Sequence, residues 1–334
     1  MRQTIAFEKR VAVRACASTV GPKEGKGPLG WCFDRVLQDD LLGQESWELA
    51  ESRMMQDTIE MCLAKAGLPA QSVEVLLAGD LQGQIMSSAF AARELGMPYL
   101  GLYGACSTMI EAMAVGGILV EGGYRKNALC SASSHFCTAE RQFRGPVELG
   151  SQRPPSASWT TTACGALLLD GGKQPGVARL THATLGRVVD YQVKDANHMG
   201  AAMAPAVADT ITAHLTDTGR SFADYDLIAT GDLGYIGRNI LKELLIQRGV
   251  KVADEKLIDC GASMFSREQD AHAGGSGCGC VASVTCGYIL RKVQAGEYHR
   301  VLVIGSGALL SLTTQQQGQT IPGIAFAAAL EGES

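Results

Sequence analysis

Cys106 is the residue in this sequence best placed to do chemistry. It lies in Gly104-Ala105-Cys106-Ser107-Thr108, after the short apolar run Tyr99 to Tyr103 and before Met109 to Val120, which is apolar on nearly every side. That order predicts a strand, a tight turn and a buried helix. A cysteine in a first helical turn meets unpaired backbone N–H groups and the positive end of the helix dipole. Both favour a thiolate, and both equally favour a bound anion. Cys106 thus has three possible uses: a nucleophile, the floor of an anion pocket, or the small buried apolar side chain that cysteine commonly is.

A second glycine-rich turn, Gly274-Gly275-Ser276-Gly277-Cys278-Gly279-Cys280, also precedes an apolar helical run, Val281 to Val293. The likeness extends upstream. Asp57-Thr58-Ile59, Gly67 and Ala78-Gly79-Asp80-Leu81 recur as Asp209-Thr210-Ile211, Gly219 and Thr230-Gly231-Asp232-Leu233, each 152 positions later. The chain therefore reads as a duplication of one β/α unit, with halves 1–175 and 176–334 meeting at Gly171-Gly172-Lys173-Gln174-Pro175-Gly176 and forming one compact unit. Strands alternating with helices predict parallel sheets, and helices apolar all round must lie between two sheets. The expected fold class is α/β, a five-layer α-β-α-β-α arrangement. Its geometry would bring Cys106 and the turn Ser276 to Cys278 face to face, with the Asp80 and Asp232 loops at the rim.

Composition narrows the function classes. At 334 residues, 46% apolar and 19% charged, the chain holds enough apolar surface for a large globular core. A net charge of −5 and the absence of Lys/Arg runs give no nucleic-acid footprint. No window approaches the roughly 20 apolar residues that span a bilayer, so a soluble chain is expected. Eleven scattered cysteines suit free thiols in a reducing compartment better than a disulfide framework. Cys278-Gly279-Cys280 lacks the second close pair of a zinc site, so no metal is expected.

Between the elements, Gly21 to Gly30 reads as a solvated Gly/Pro/Lys loop without Walker spacing. Ala139 to Thr162 is a long Pro- and Arg-bearing loop, of a length usually functional or subunit-contacting.

Together these features resemble the thiolase superfamily, whose members carry a reactive cysteine at the start of the first central helix. More specifically, several motifs are similar to the stage V sporulation protein AD family of spore-forming bacteria: Gly21-Pro22-Lys23-Glu24, Gly27-Pro28-Leu29-Gly30, Ala78-Gly79-Asp80-Leu81, Gly104 to Thr108, Ser133-Ser134-His135, Thr138 to Arg144, Met203-Ala204-Pro205-Ala206 and Ala273 to Cys278. The resemblance covers essentially the whole chain. It implies non-enzymatic binding of dipicolinic acid, pyridine-2,6-dicarboxylate, and support of its uptake into the developing spore. It also implies membrane-embedded partners, a peripheral place at the spore inner membrane, and a homodimer. No cofactor is implied, although calcium could enter as part of a calcium–dipicolinate ligand.

Catalytic members of the superfamily add a His and an Asn or His from the second half, to activate the thiolate and hold an oxyanion. Here those places read Thr230-Gly231-Asp232-Leu233 and Gly275-Ser276-Gly277-Cys278, with neither imidazole nor amide. Cys106 then reads as a vestigial nucleophile. The alternative is a Cys-dependent acyltransferase using Cys106 with His135. His135 could serve as base, as a donor to a carboxylate, or as a strand-end side chain bonded to backbone. His198, His272 and His299 lie in polar stretches and read as surface residues. Arg141 and Arg187 are candidate carboxylate partners. A planar dianion asks for a narrow apolar slot with donors at its ends. Ser107 and Thr108, through N–H and hydroxyl groups, and the backbone of Ser276-Gly277 are the expected cradle. Asp80 and Asp232 fit an anion site if protonated, bonded to donors or bridged by calcium; otherwise they orient a neighbouring loop.

Overall fold

The computed structural model describes residues 2–143 and 153–333. Its strands are β1 (Thr4–Ala6), β2 (Ala12–Val20), β3 (Arg35–Val36), β4 (Leu76–Gly79), β5 (Tyr99–Gly101), β6 (Asn127–Ser134), β7 (Trp159–Thr160), β8 (Ala163–Asp170), β9 (Ala178–Thr184), β10 (Leu227–Thr230), β11 (Leu257–Asp259), β12 (Gly275–Ser276), β13 (Arg300–Ala308) and β14 (Gly323–Glu331). The main sheet runs β11-β10-β13-β14-β9-β2-β8-β6-β4-β5. The two ends of this path match strand for strand, so the duplication read from the spacing is a duplication of topology.

Two features differ from the expected pair of parallel sheets. In each half three strands are parallel, but β8 and β14 run antiparallel to their neighbours. The two leaves also share one hydrogen-bonded path, because β2 pairs with β9 through Ala12↔Arg179 and Val13↔Ala178. In sequence β8 follows β6 and β14 follows β13, apart from the two-residue β7, and antiparallel pairing lets each lie directly beside that strand.

The outer helices Trp47–Ala66 and Met199–Thr218 hold to the same sequence offset. Each stops at a glycine in the left-handed region, Gly67 (φ 66°) and Gly219 (φ 67°), where a Cβ would be strained. Ser46 opens the first by accepting the N–H of Leu49. Three apolar clusters separate the layers. One lies between the leaves around Met109, Ile110, Met113, Val281 and Val284. The others lie under the outer helices, around Met54, Met55 and Ile59 in the first half and Val207, Ile211 and Leu241 in the second.

The inner helix Thr108–Glu121 is buried on almost every side and uses small residues for close approach; a Cβ on Gly117 would lie 2.7 Å from Phe7 and 2.9 Å from Leu180. Its counterpart runs from Cys278 to Gln294 but widens into a π-turn over Thr285–Ile289. The Gly21 to Gly30 segment is not simply a solvated loop. Pro22–Gly25 forms a helical turn, and Glu24 is buried, accepting the N–H of Thr162 at 3.0 Å. Of the Pro- and Arg-bearing loop, Phe136–Phe143 is helical and positions 144–152 lie outside the described residues. Among the described residues, no helix is long and apolar enough to cross a membrane.

Gly165 in β8 faces the second inner helix so closely that a Cβ would sit 2.3 Å from the carbonyl oxygen of Ala282. Gly165→Ala is expected to destabilise the fold by about 1–3 kcal/mol, seen as a lower urea midpoint with an unchanged slope. An unchanged midpoint would mean that this strand and helix do not pack as described.

Candidate functional site

The turn carrying Cys106 is built before the α-helix begins. Ala105–Ser107 is a single 3₁₀ turn, and Ala105 adopts φ 52°, a left-handed conformation that costs a non-glycine residue energy. This elbow turns Cys106 away from the line of β5 and into a cleft at the seam of the halves. Opposite it, β12 pairs with β7 and brings Ser276 and Thr160 to the same cleft. Leu81, Tyr103, Ala139, Glu140 and Phe143 complete the first-half wall, and Met199 and Leu310 contribute from the second.

Cys106 and Ser276 do meet, with Sγ and Oγ 4.0 Å apart. Behind them Asp232 is fully buried. Its Oδ2 accepts from Ser276 Oγ (2.8 Å) and Gly277 N (3.0 Å), and its Oδ1 accepts from Ser306 Oγ (2.9 Å). Burial pushes the Asp232 carboxyl upward, against the pull of these donors. Burial, followed by the neighbouring Asp232, pushes the Cys106 thiol well above its ordinary value. The thiolate-favouring effect expected at a helix start is opposed here, because the α-helix begins only at Thr108 and Asp232 adds to the effect of burial.

The expected cradle is largely committed to the protein itself. Ser107 Oγ donates to Gly104 O (2.6 Å), and Thr108 Oγ1 donates to Ala105 O (2.7 Å) while accepting Gly104 N (3.1 Å). Both side chains are buried, and neither lines the cleft. The Gly277 N–H belongs to Asp232. Asp80 is likewise structural: its carboxylate accepts from Gln82 N (2.8 Å), Ser88 N (2.8 Å) and Ser88 Oγ (2.7 Å), which shapes the loop that presents Leu81.

His135 is not paired with Cys106. Its Nε2 bonds the carbonyl of Asp40 (2.8 Å), and its Nδ1 accepts the N–H of Cys137 (3.2 Å), which fixes a neutral tautomer whose pKa burial lowers further. Arg141 bonds Glu48 (3.0 Å) and Arg187 bonds Asp209 (2.5 Å), so neither reaches the cleft. His198, His272 and His299 are at the surface as expected. Cys278 and Cys280 donate to different carbonyls, of Ser133 (2.9 Å) and Gly231 (3.9 Å).

Two acids matter that sequence patterning did not single out as site residues. Ala139, Glu140 and Phe143 share one face of a short helix, and this 1, 4 spacing was available as a signal. Glu51 had no such signal. Wholly buried on the outer helix, it accepts from Ser133 Oγ (2.9 Å), Thr138 Oγ1 (2.7 Å) and Gln82 Nε2 (3.0 Å), tying the Leu81 loop to the Phe136–Phe143 helix. Burial, and secondarily Asp80, raises its pKa to about 8.

A family model described as Stage V sporulation protein AD (SpoVAD) matches residues 1–331. The chain belongs to this family. It is 44% identical over 330 residues to Stage V sporulation protein AD of Bacillus subtilis (strain 168), covering 99% of this chain and 97% of that protein. Among solved structures it is similar to an acetyl-CoA acetyltransferase from Syntrophomonas wolfei (TM-score 0.63, 10% identity, 97% of this chain and 99% of that one). It is also similar to human mitochondrial 3-ketoacyl-CoA thiolase in complex with CoA (TM-score 0.60, 12% identity, 99% and 100%) and to Aquifex aeolicus 3-oxoacyl-[acyl-carrier-protein] synthase III (TM-score 0.60, 11% identity, 96% and 99%). The fold is thus that of thiolases and related condensing enzymes, and the family is one of sporulation.

Two outcomes test the electrostatics. Asp232→Asn removes the charge that opposes Cys106 ionisation, so iodoacetamide should label Cys106 several-fold faster at pH 8, about tenfold for each unit by which the thiol pKa falls. Unchanged labelling, followed by mass spectrometry, would place the cause in burial alone. Glu51 binds its proton more tightly folded than unfolded, so ionising it destabilises the fold progressively from about pH 4.5 up to about pH 8. Glu51→Gln should therefore gain stability relative to the parent as pH rises through that window, read by urea unfolding at pH 5 and pH 8.

Proposed function

We propose that this chain binds dipicolinic acid in the central cleft without catalysis and supports its uptake into the developing spore. The observation that carries this reading is the replacement of activating groups around Cys106. The thiol faces a hydroxyl and a buried carboxylate, both hydrogen-bonded to the protein, and neither can generate a thiolate. What remains is a narrow, mostly apolar slot with Ser276, Thr160, Tyr103 and Glu140 on its walls, the kind of space a flat heteroaromatic ring fills.

Among the described residues no Lys, Arg or His lines the cleft, and Glu140 does. Among the described lining residues a free dianion would meet no cationic side chain, whereas the calcium chelate carries no net charge. We therefore favour calcium dipicolinate as the bound species. The edge strand β5 leaves Leu100 exposed at the end of the sheet, which supports a homodimer formed across that edge. Membrane-embedded partners and a peripheral place at the spore inner membrane complete the proposal and rest on family membership.

Calorimetric titration with dipicolinate, with and without calcium, tests the ligand directly. Binding should be tighter with calcium. Ala139→Trp, which fills the slot, should weaken it by tenfold or more, while Cys106→Ala should change affinity only modestly. No heat with either ligand, together with covalent labelling of Cys106 by an acyl-CoA, would overturn the reading.

A further inference from the structure

A second pair of cysteines lies away from the cleft, at the junction of the two leaves. Cys16, in β2, points to the inner side of the sheet, and Cys286 sits in the π-turn of the second inner helix. Cys16 Sγ donates to the carbonyl oxygen of Cys286 at 3.4 Å, and the Cys286 thiol donates to Ala166 O on the neighbouring β8 at 3.5 Å. Both lie on the floor of one solvent-open pocket, rimmed by Arg14, Lys65 and Arg291 and by Asp34. This separates them from most other cysteines of the chain. Cys62, which also neighbours Cys16, is fully buried on the outer side of the same strand, donating to Ala15 O at 3.5 Å. Cys130 and Cys278 are wholly buried and line no part of that pocket.

The local backbone suits a change of sulfur position. A π-turn is a wider, less tightly bonded stretch of helix that is often found at functional sites. Thr285, at its first position, has a buried hydroxyl without a hydrogen-bond partner. The Cys286 thiol, 3.5 Å from Ala166 O, has to turn away from that carbonyl to meet the Cys16 sulfur.

We propose that Cys16 and Cys286 form an oxidation site, closing to a disulfide when hydrogen peroxide enters the pocket. The sulfur of Cys16, the more exposed of the two (9% against 3%), attacks one peroxide oxygen and the O–O bond breaks. The departing hydroxide takes up the thiol proton as water, and Cys16 becomes a sulfenic acid. The sulfur of Cys286 then attacks the Cys16 sulfur and the S–O bond breaks. Hydroxide leaves with the Cys286 proton as a second water. Two thiols are oxidised to one disulfide, and one peroxide is reduced to two waters.

The consequence is mechanical. The bond joins residues 270 positions apart, linking the strand where the two leaves meet to the inner helix of the opposite half. A cross-link closing so long a loop restricts the unfolded chain strongly.

The full-length native protein, exposed to excess hydrogen peroxide and then alkylated and digested without reductant, tests this. Mass spectrometry should find a peptide joining Cys16 to Cys286 with the loss of two hydrogens, and native thiol counting should fall by two. The melting temperature should rise by about 5 °C or more and return on addition of dithiothreitol. Cys16→Ser should leave Cys286 reduced under the same exposure and abolish the rise. Sulfinic acid at Cys16 without the joined peptide, a cross-link of Cys16 to Cys62, or eleven thiols still free would each overturn the proposal. The parent protein alone decides the matter if Cys16→Ser fails to fold.

Discussion

The buried carboxylate of Asp232 governs the centre of this molecule. An isolated charge there would cost many kcal/mol, and the donors Ser276, Gly277 and Ser306 offset part of the burial that raises this carboxyl. Those bonds fix the second glycine turn, hold Ser276 against Cys106, and tie both to the end of β13. The same carboxylate places negative charge where a condensing enzyme needs positive charge or a neutral donor. One side chain thus organises the seam and disfavours ionisation of the Cys106 thiol beside it.

The duplication makes the contrast internal to the chain. Asp80 and Asp232 occupy equivalent positions after equivalent strands, β4 and β10. Asp80 closes its own loop through Gln82 and Ser88, whereas Asp232 reaches Ser276, Gly277 and Ser306. The difference follows from what each loop faces. The first lies under the outer helix, where Glu51 shares the space, and the second faces the elbow of the opposite half. Symmetry of the fold therefore supplied two similar acids, and the asymmetry of the seam gave them different tasks.

Much of the fold was legible because its signals are long. A register held over many residues, two glycine stops and two helices apolar all round leave few arrangements that bury them. The joining of the leaves into one sheet was not legible, since it depends on two residue pairs at the edge of β2 and β9. The site was legible only where backbone topology decides it, as for Cys106 and Ser276. Ser107, Thr108 and Gly277 bond within the protein, because a hydroxyl or an N–H one residue from a pocket can turn to a local carbonyl or carboxylate, and spacing does not reveal which. His135 has a partner, Asp40, distant in sequence and reached through its backbone. Glu51 is a charged residue within a helical stripe, a pattern normally read as solvated, and only the converging Ser133, Thr138 and Gln82 make its burial tenable.

These buried acids also bear on how firmly the walls of the central cleft are held. Glu24, Glu51, Asp80, Asp232 and Asp259 are all buried, and each accepts hydrogen bonds from segments distant from its own helix or loop, or from the loop it closes. Such bonds are directional, so they fix wall positions more tightly than apolar packing alone. Catalysis asks a wall to accommodate changing charge along a reaction; recognition of one flat ligand asks only that the wall stay where it is. Hydrogen-bonded buried carboxyls suit the second demand, which is the one the proposed ligand binding makes, and burial together with Asp232 raises the Cys106 thiol they enclose.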